Sequence, residues 1–252
     1  MRALTRITRT LFHLRSQVGC KQGCTFCSTG RMGKLRNLSS TEILSQFFHA
    51  LKICRLGSIP KLANVVFMGM GEPADNAVEV NAALKILTDV DLFHMGQGKV
   101  IVSTVAPFPD AFTQFKDSPC VLAWSVHAAN DELRKQLVPT TKFSMIELRQ
   151  GLIDTLNSRP KRLRTTMLEM ALIDGVNDSD EAALELAKFA QVIIDSVPGI
   201  KLVCNLIPFN DIGHPYYKKP SMVQVERFQK ILRDQNISAH GKNHVTLGRH
   251  VK

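Results

Sequence analysis

The sequence has no apolar run that approaches the roughly 20 residues of a membrane-spanning helix, and its opening residues lack the apolar stretch of a signal peptide. It also lacks low-complexity segments and disulfide-scaffold spacing. Its six cysteines are few and unevenly placed for 252 residues, because three lie between Cys20 and Cys27. These absences argue against a membrane span and a disulfide-stabilised secreted domain, and they favour a reducing compartment.

Acidic residues are also missing from the first part of the chain, where none precedes Glu42. The whole chain has a formal net charge of +10, which favours a polyanionic partner over a merely solvated basic surface. Met1 to Arg15 could be a basic lead-in to the first strand or an organellar transit peptide, and we favour the lead-in. The candidate phosphate contacts are Arg2, Arg6, Arg9, Arg15, Lys21, Arg31, Lys34, Arg36, Lys161, Arg162 and Arg164.

Short β-rich apolar runs alternate with amphipathic stretches, a pattern typical of βα units around a parallel sheet. The fold class is therefore α/β, and six strands predict a partial (β/α)₆ TIM-like barrel. We divide the chain into a basic lead-in at 1–15, a core at 16–236 and a tail at 237–252. The predicted strands are Leu14 to Val18, Asn64 to Met68, Val100 to Thr104, Val121 to His127, Arg164 to Leu172 and Lys201 to Ile207.

Helices are predicted between the strands from apolar stripes and capping boxes. The first long helix covers about Thr41 to Leu56. Its stripe of Leu44, Phe47, Phe48, Leu51 and Cys54 should face the core, as should Leu186, Ala187, Ala190, Ile193 and Ile194 on a later helix. The expected capping boxes pair Ser39 with Glu42, Ser144 with Glu147, Asp178 with Glu181 and Ser221 with Gln224.

Three cysteines follow the first predicted strand with the spacing C-x3-C-x2-C, at Cys20, Cys24 and Cys27. Three thiolates on one short loop can hold three irons of a cubane cluster and leave the fourth iron open for a substrate or cofactor. The alternative is a structural zinc site, which needs a fourth ligand. Cys54 lies on an apolar helix stripe and no second cysteine pair exists, so we favour the cluster. Cys54, Cys120 and Cys204 are expected to be ordinary buried thiols.

Polar residues also follow the other predicted strands, where ligands bind in parallel α/β folds. In the segment Met68 to Pro73, glycines would let the backbone approach a ligand, and Glu72 would accept a hydrogen bond from an ammonium group. The alternative is a tight strand-to-helix turn. The remaining candidates for one shared mouth are Ser103, Ser125, His127 and Asn205, although a histidine at a strand end is more often structural.

At these residues the sequence resembles the radical S-adenosylmethionine (SAM) methyltransferases that modify carbon 2 of adenine in 23S ribosomal RNA and transfer RNA. The resemblance covers Ser16 to Gln235, and it implies a radical SAM barrel with a 4Fe-4S cluster and SAM as cofactors. It is carried by the segments Ser16 to Cys20, Cys24 to Gly30, Phe67 to Pro73, Gly175 to Asp178 and Asn205 to Asn210. It implies that Cys20, Cys24 and Cys27 bind the cluster, and that Gly71, Glu72, Ser103, Ser125, Val126, His127 and Asn205 contact SAM.

The same resemblance implies the reaction and its partners. One SAM methylates a cysteine near the C-terminus, and another yields the radical that activates that methyl for addition to adenine. A second cysteine upstream of the cluster loop helps to release the product. The implied partners are RNA and an electron donor such as flavodoxin or ferredoxin, with no membrane. The implied protein is a cytoplasmic monomer, with an organellar location as the alternative.

The sequence departs from the family pattern at the catalytic cysteines, because no cysteine precedes Cys20 and none follows Cys204. The catalytic residues are therefore unknown. We expect radical formation without methyl transfer from these 252 residues, unless Cys204 or Cys120 takes over the methyl. The remaining alternatives are another radical SAM reaction on the same core and a non-catalytic RNA-binding remnant.

Overall fold

A computed structural model describes residues 10–57 and 59–241. Within these residues, seven parallel strands form one sheet in the order β1-β4-β5-β6-β7-β8-β9, and β2 and β3 form a separate antiparallel hairpin. The strands are β1 (Thr10–His13), β2 (Gln17–Cys20), β3 (Gly33–Asn37), β4 (Leu62–Phe67), β5 (Val100–Thr104), β6 (Val121–Ser125), β7 (Thr165–Leu172), β8 (Lys201–Pro208) and β9 (Ala239–Gly241).

Helices follow most of the parallel strands, so the chain forms the predicted α/β partial barrel. The sheet has β1 at one edge and β9 at the other, and its seven strands exceed the six predicted. No described helix is long and apolar enough to span a membrane. The helices are α1 (Ser40–Leu56), α2 (Ala77–Thr88), α3 (Asp131–Leu137), α4 (Met145–Ser158), α5 (Asp180–Ser196) and α6 (Met222–Asp234).

The central strands form because their β-branched and apolar residues are buried on both faces, as parallel sheets require. The predicted strand at 14–18 is wrong, because β1 ends before Leu14 and β2 begins at Gln17. Leu14 N–H still donates to Val66 O at 2.8 Å. The connection between β1 and β2 therefore begins alongside β4, although Leu14 is not part of a strand. The sheet also includes β1 and β9, both of which lie outside the proposed 16–236 core.

Three of the four predicted capping boxes are present, at Ser39, Ser144 and Ser221. The fourth is wrong: Ser179 caps α5, and its side chain accepts from Ala182 N–H. Asp178 instead accepts from Gly175 N–H at 2.9 Å, because its carboxylate closes the preceding turn.

The apolar stripe of α1 is only partly as predicted. Phe47 is buried, whereas the Phe48 side chain is 57% exposed and Ile43 takes a core position instead. The stripe on α5 is confirmed, since Leu186, Ala187, Ala190 and Ile193 are buried and Ile194 packs against them.

Candidate active site

The three-cysteine loop connects β2 to β3, within the long connection between β1 and α1. Cys20 ends β2, and two backbone bonds shape the loop: Cys27 N–H donates to Cys24 O at 3.0 Å and Gly30 N–H to Cys27 O at 3.1 Å. Thr25 N–H donates to Leu137 O at 3.0 Å, which ties the loop to the end of α3. The loop thus lies at the carboxyl ends of the strands, as predicted.

The thiols of this loop influence one another electrostatically. Burial, with a smaller contribution from the charge of Cys27, raises the pKa of Cys20 to about 11 and that of Cys24 to about 12. Cys20 and Cys24 are therefore neutral thiols at pH 7 when no metal is bound. Iron would supply the positive charge that lets clustered thiols ionise, so the donor set suits a cluster.

Among residues 10–57 and 59–241, no three Cys, His, Asp or Glu side chains are close enough together to form a ready metal site. A closed structural zinc site would require four such ligands, and Cys54 packs against the core from α1. Cys120 and Cys204 have no exposed surface and are buried thiols, as predicted. The three thiols of the cysteine loop are therefore the ligands that suit iron and sulfide.

The segment after β4 folds back onto the protein itself. A Cβ on Gly71, whose φ is +98°, would lie 2.6 Å from the Gln17 Cβ, and one on Gly69 would lie 2.7 Å from Leu14 O. These glycines therefore permit a close crossing with the connection from β1 to β2. These contacts within the protein account for both glycines without a ligand. Their close approach to a ligand remains a prediction.

Glu72 is 3% exposed, and both of its carboxylate oxygens accept backbone hydrogen bonds. Oε1 accepts from Ala74 N–H and Oε2 from Val105 N–H, each at 2.9 Å. Burial raises its pKa to about 7 despite these bonds. Glu72 thus joins the ends of β4 and β5 at the mouth of the barrel.

A row of polar side chains crosses the sheet at the same mouth. Ser103 and Ser125 share a hydrogen bond of 2.9 Å. Ser125 is in register with Glu169, and Glu169 with Asn205, whose Nδ2 donates to the Glu169 carboxylate. Asn205 Oδ1 is buried without a hydrogen-bond partner. The row thus leaves a buried acceptor for a polar ligand.

His127 lies directly after β6 and contacts the cysteine loop. Its ring centroid is 4.4 Å from that of Phe26, and its Nδ1 accepts from Ala171 N–H at 3.1 Å. Burial, aided by the charge of Arg134, lowers its pKa well below the usual value, so the ring is neutral at pH 7 with its proton on Nε2. Val126 is buried in the core, and its N–H donates to Glu169 O at 2.9 Å.

Of the predicted phosphate contacts, Arg2, Arg6 and Arg9 lie outside the described residues, and the others divide between the two ends of the sheet. Lys161 and Arg162 lie before β7, at the amino ends of the strands and away from the cysteine loop. Arg164 donates to three backbone carbonyls, of Asn157, Arg159 and Pro198, so its guanidinium is already engaged within the protein. Arg159, two residues before Lys161, is 1% exposed.

Two charged residues of the site were missed by the sequence reasoning. Glu169 is a charged residue in the largely apolar strand β7, and its carboxylate belongs to the polar row described above. A charged residue within a buried strand was the signal in the sequence that could have identified it. Arg134 is fully buried although α3 has the charge pattern of a surface helix. Asn177 was noted only within a motif, yet its amide donates to His127 O at 2.9 Å.

The parallel partial barrel and its three-thiol loop define the class of protein. The Radical SAM superfamily profile matches residues 14–187, and this chain belongs to that superfamily. Members of the superfamily use a 4Fe-4S cluster and SAM.

More particular similarities lie within that class. The chain is 38% identical to the dual-specificity RNA methyltransferase RlmN of Marinomonas sp. over 232 residues, which is 90% of this chain and 60% of the relative. It is 39% identical to RlmN of Xylella fastidiosa over 89% of this chain and 56% of the relative. A radical SAM methyltransferase structure from Sphaerobacter thermophilus matches with a TM-score of 0.82 and 34% identity, over 93% of this chain and 66% of that one. The chain thus spans about 60% of the length of the curated relatives it matches.

Proposed function

We propose that this chain is the cluster- and SAM-binding part of an RNA methyltransferase that acts on carbon 2 of adenine in ribosomal and transfer RNA. The observation that carries the proposal is its 38% identity to RlmN over 90% of the chain. Its cysteine loop also lies where this barrel binds ligands. A flavodoxin or ferredoxin as electron donor, a monomeric state and a cytoplasmic location belong to the same proposal.

The proposed roles follow the positions of the side chains. Cys20, Cys24 and Cys27 hold the cluster, and when bound the cluster and SAM together supply a 5′-deoxyadenosyl radical. The Phe26 ring against His127 keeps the cysteine loop in contact with the cofactor mouth. The proposed SAM contacts are Gly71, Glu72, Ser103, Ser125, Val126, His127 and Asn205.

Asn205 offers the most specific support for a polar cofactor at this mouth. Its Nδ2 is committed to the Glu169 carboxylate, so the orientation of the amide is fixed. Its Oδ1 is buried without a partner, which costs free energy unless a ligand donor reaches it. A hydroxyl or amino group of SAM would satisfy this oxygen.

The decisive experiment compares RNA from cells with an intact and a disrupted gene. We expect 2-methyladenosine to disappear from ribosomal or transfer RNA on disruption, as measured by mass spectrometry of digested RNA. The wild-type gene should restore it and a Cys24→Ala gene should not, because the variant lacks a cluster ligand. Unchanged 2-methyladenosine in both RNA classes would refute the methyltransferase assignment.

The surface proposed to meet RNA is the exposed strand β3 and the turn before it, called here the basic hairpin edge (Arg31 to Asn37). Arg31, Lys34 and Arg36 project from it, and Arg36 is paired with Glu42 at 2.7 Å. The edge adjoins the cysteine loop, so phosphates bound there would place a nearby base at the barrel mouth. This juxtaposition favours Arg31 and Lys34 as phosphate contacts.

We expect Lys34→Gln to weaken RNA binding and to flatten its salt dependence. For single-stranded RNA, each phosphate contact contributes about −0.7 to the slope of log K against log salt, so one lost contact should remove about that amount. Fluorescence anisotropy across a salt series measures the slope. Lys161→Gln is the matched control, because this exposed lysine lies at the opposite end of the sheet. Equal slopes for Lys34→Gln and the wild type would contradict the assignment of this edge.

A further inference from the structure

Arg134 is a fully buried cation at the carboxyl ends of two strands. Its Nη1 donates to Ser125 O and Val126 O, each at 2.7 Å, and its Nη2 donates to Val105 O. These bonds join α3 to the segments that follow β5 and β6. The guanidinium therefore lies inside the mouth of the barrel and away from solvent.

The charge of Arg134 has no ion-pair partner among residues 10–57 and 59–241, where the ion pairs involve other residues. Its Nε is also buried without a hydrogen-bond partner. Burial lowers its pKa to about 10, so the group remains cationic at pH 7. A buried charge without a counter-charge is costly, and the bonded carbonyls provide only partial negative charge. Glu72 accepts from the N–H of Val105, whose O accepts from Arg134. No ion pair joins Glu72 to Arg134 among the described residues, so a further anionic group near the guanidinium would be stabilised by it.

The cysteine loop is the neighbour that would become anionic. The segment from α3 onward holds this loop, because Leu137 O accepts from Thr25 N–H and Thr140 Oγ1 donates to Gln22 O at 3.1 Å. Cys24 lies in one buried cluster with Leu137 of α3, and Leu133, which precedes Arg134 in the same helix, packs against that cluster. α3 thus carries the buried guanidinium and also packs against Cys24.

We propose that Arg134 is the built-in counter-charge of the three-thiolate cluster site and raises the reduction potential of a cluster bound there. The inference rests on the proposed function, because it needs a cluster on Cys20, Cys24 and Cys27. Reduction adds one electron from the external donor and one negative charge to the cluster, with no bond made or broken. A nearby fixed cation stabilises the reduced form more than the oxidised form. Arg134 is therefore a positioning and tuning residue.

Arg159 provides a matched control for the structural part of this role. It too is buried, and its Nη2 donates to the carbonyls of Ser118 and Cys120, which precede β6. It lies at the amino end of the strand whose carboxyl end contacts Arg134. Both arginines brace backbone carbonyls, but only Arg134 adjoins the cysteine loop.

The test is a redox titration of reconstituted wild type, Arg134→Gln, Arg134→Lys and Arg159→Gln, followed by electron paramagnetic resonance and accompanied by iron analysis. We expect a more negative potential in Arg134→Gln, which lacks the charge. Arg134→Lys keeps the charge and Arg159→Gln lies far away, so both should remain near the wild-type potential. An unchanged potential in Arg134→Gln, or an equal shift in Arg159→Gln, would overturn the proposal.

Iron content makes the test informative if Arg134→Gln holds no cluster. Loss of iron in Arg134→Gln with retention in Arg134→Lys and Arg159→Gln would support a requirement for charge. Loss in Arg134→Lys as well, with Arg159→Gln intact, would show that the hydrogen-bond fork matters instead and would overturn the proposal. Wild-type protein that binds no iron would overturn the proposed function itself, which is a separate outcome.

Discussion

Replacing Cys24 with alanine is expected to reduce cluster content after anaerobic reconstitution from about one cubane per chain to none. A cubane with one open iron needs three protein thiolates, and the loop provides three. Cys24 is 8% exposed, so an external thiol cannot readily take its place. Iron and sulfide analysis, together with the brown absorbance, measures the loss. Cys20→Ala and Cys27→Ala should behave in the same way.

Cys54→Ser is the matched control for these substitutions. Cys54 is a partly buried thiol on α1 that packs against the core and belongs to another element of the fold. Its replacement should leave the iron content at the wild-type level. Full iron retention in Cys24→Ala would contradict the assignment of the loop, as would tight zinc binding by wild-type protein that retains no iron.

The parallel strands were predictable where burial on both faces left a continuous apolar run. The Val100–Thr104 strand was predicted with its observed limits, and β7 and β8 within one residue at either end. These strands are long or strongly β-branched, so local sequence and tertiary burial favour the same structure.

The edge strands and the hairpin were not predictable in the same way. β1 and β9 are short, and within residues 10–57 and 59–241 each pairs with one neighbouring strand, so little burial marks their sequences. Every residue of β3 is exposed, and it pairs with β2 through a register shift between Val18 and Gly19. Long-range pairing decides such segments, and hydrophobic periodicity does not record it.

The sequence predicted the site residues that directly follow strands. It did not predict the buried charged residues that contact other site residues. Ser103, Ser125 and Asn205 were expected at one mouth, and the structure gathers them there. Glu169 and Arg134 depend on contacts between distant elements. The charge pattern of α3 gave no sign that Arg134 turns inward, because a charged residue on a short helix is usually solvated.

Replacing Gly19 with alanine should disrupt the hairpin that carries the cysteine loop. The backbone at Gly19 has a φ of +77°, and a Cβ there would lie 1.8 Å from Gly33 O. An alanine adds about 1–2 kcal/mol of left-handed strain and also a clash with backbone that cannot rotate away. The two strands must therefore separate. We expect loss of the cluster together with a marked fall in the thermal unfolding midpoint.

Gly23→Ala separates the strain from the clash, because Gly23 also has a positive φ, of +62°, but an added Cβ would meet nothing within 4 Å. It should cost only the backbone strain, which for a domain of this size lowers the midpoint by about 2–4 °C per kcal/mol. Its iron content should remain near the wild-type value, since the three thiols keep their places. Calorimetry and iron analysis of both variants measure the difference. Equal midpoints and equal iron in Gly19→Ala and Gly23→Ala would show that the close approach of Gly19 to Gly33 does not hold the loop in place.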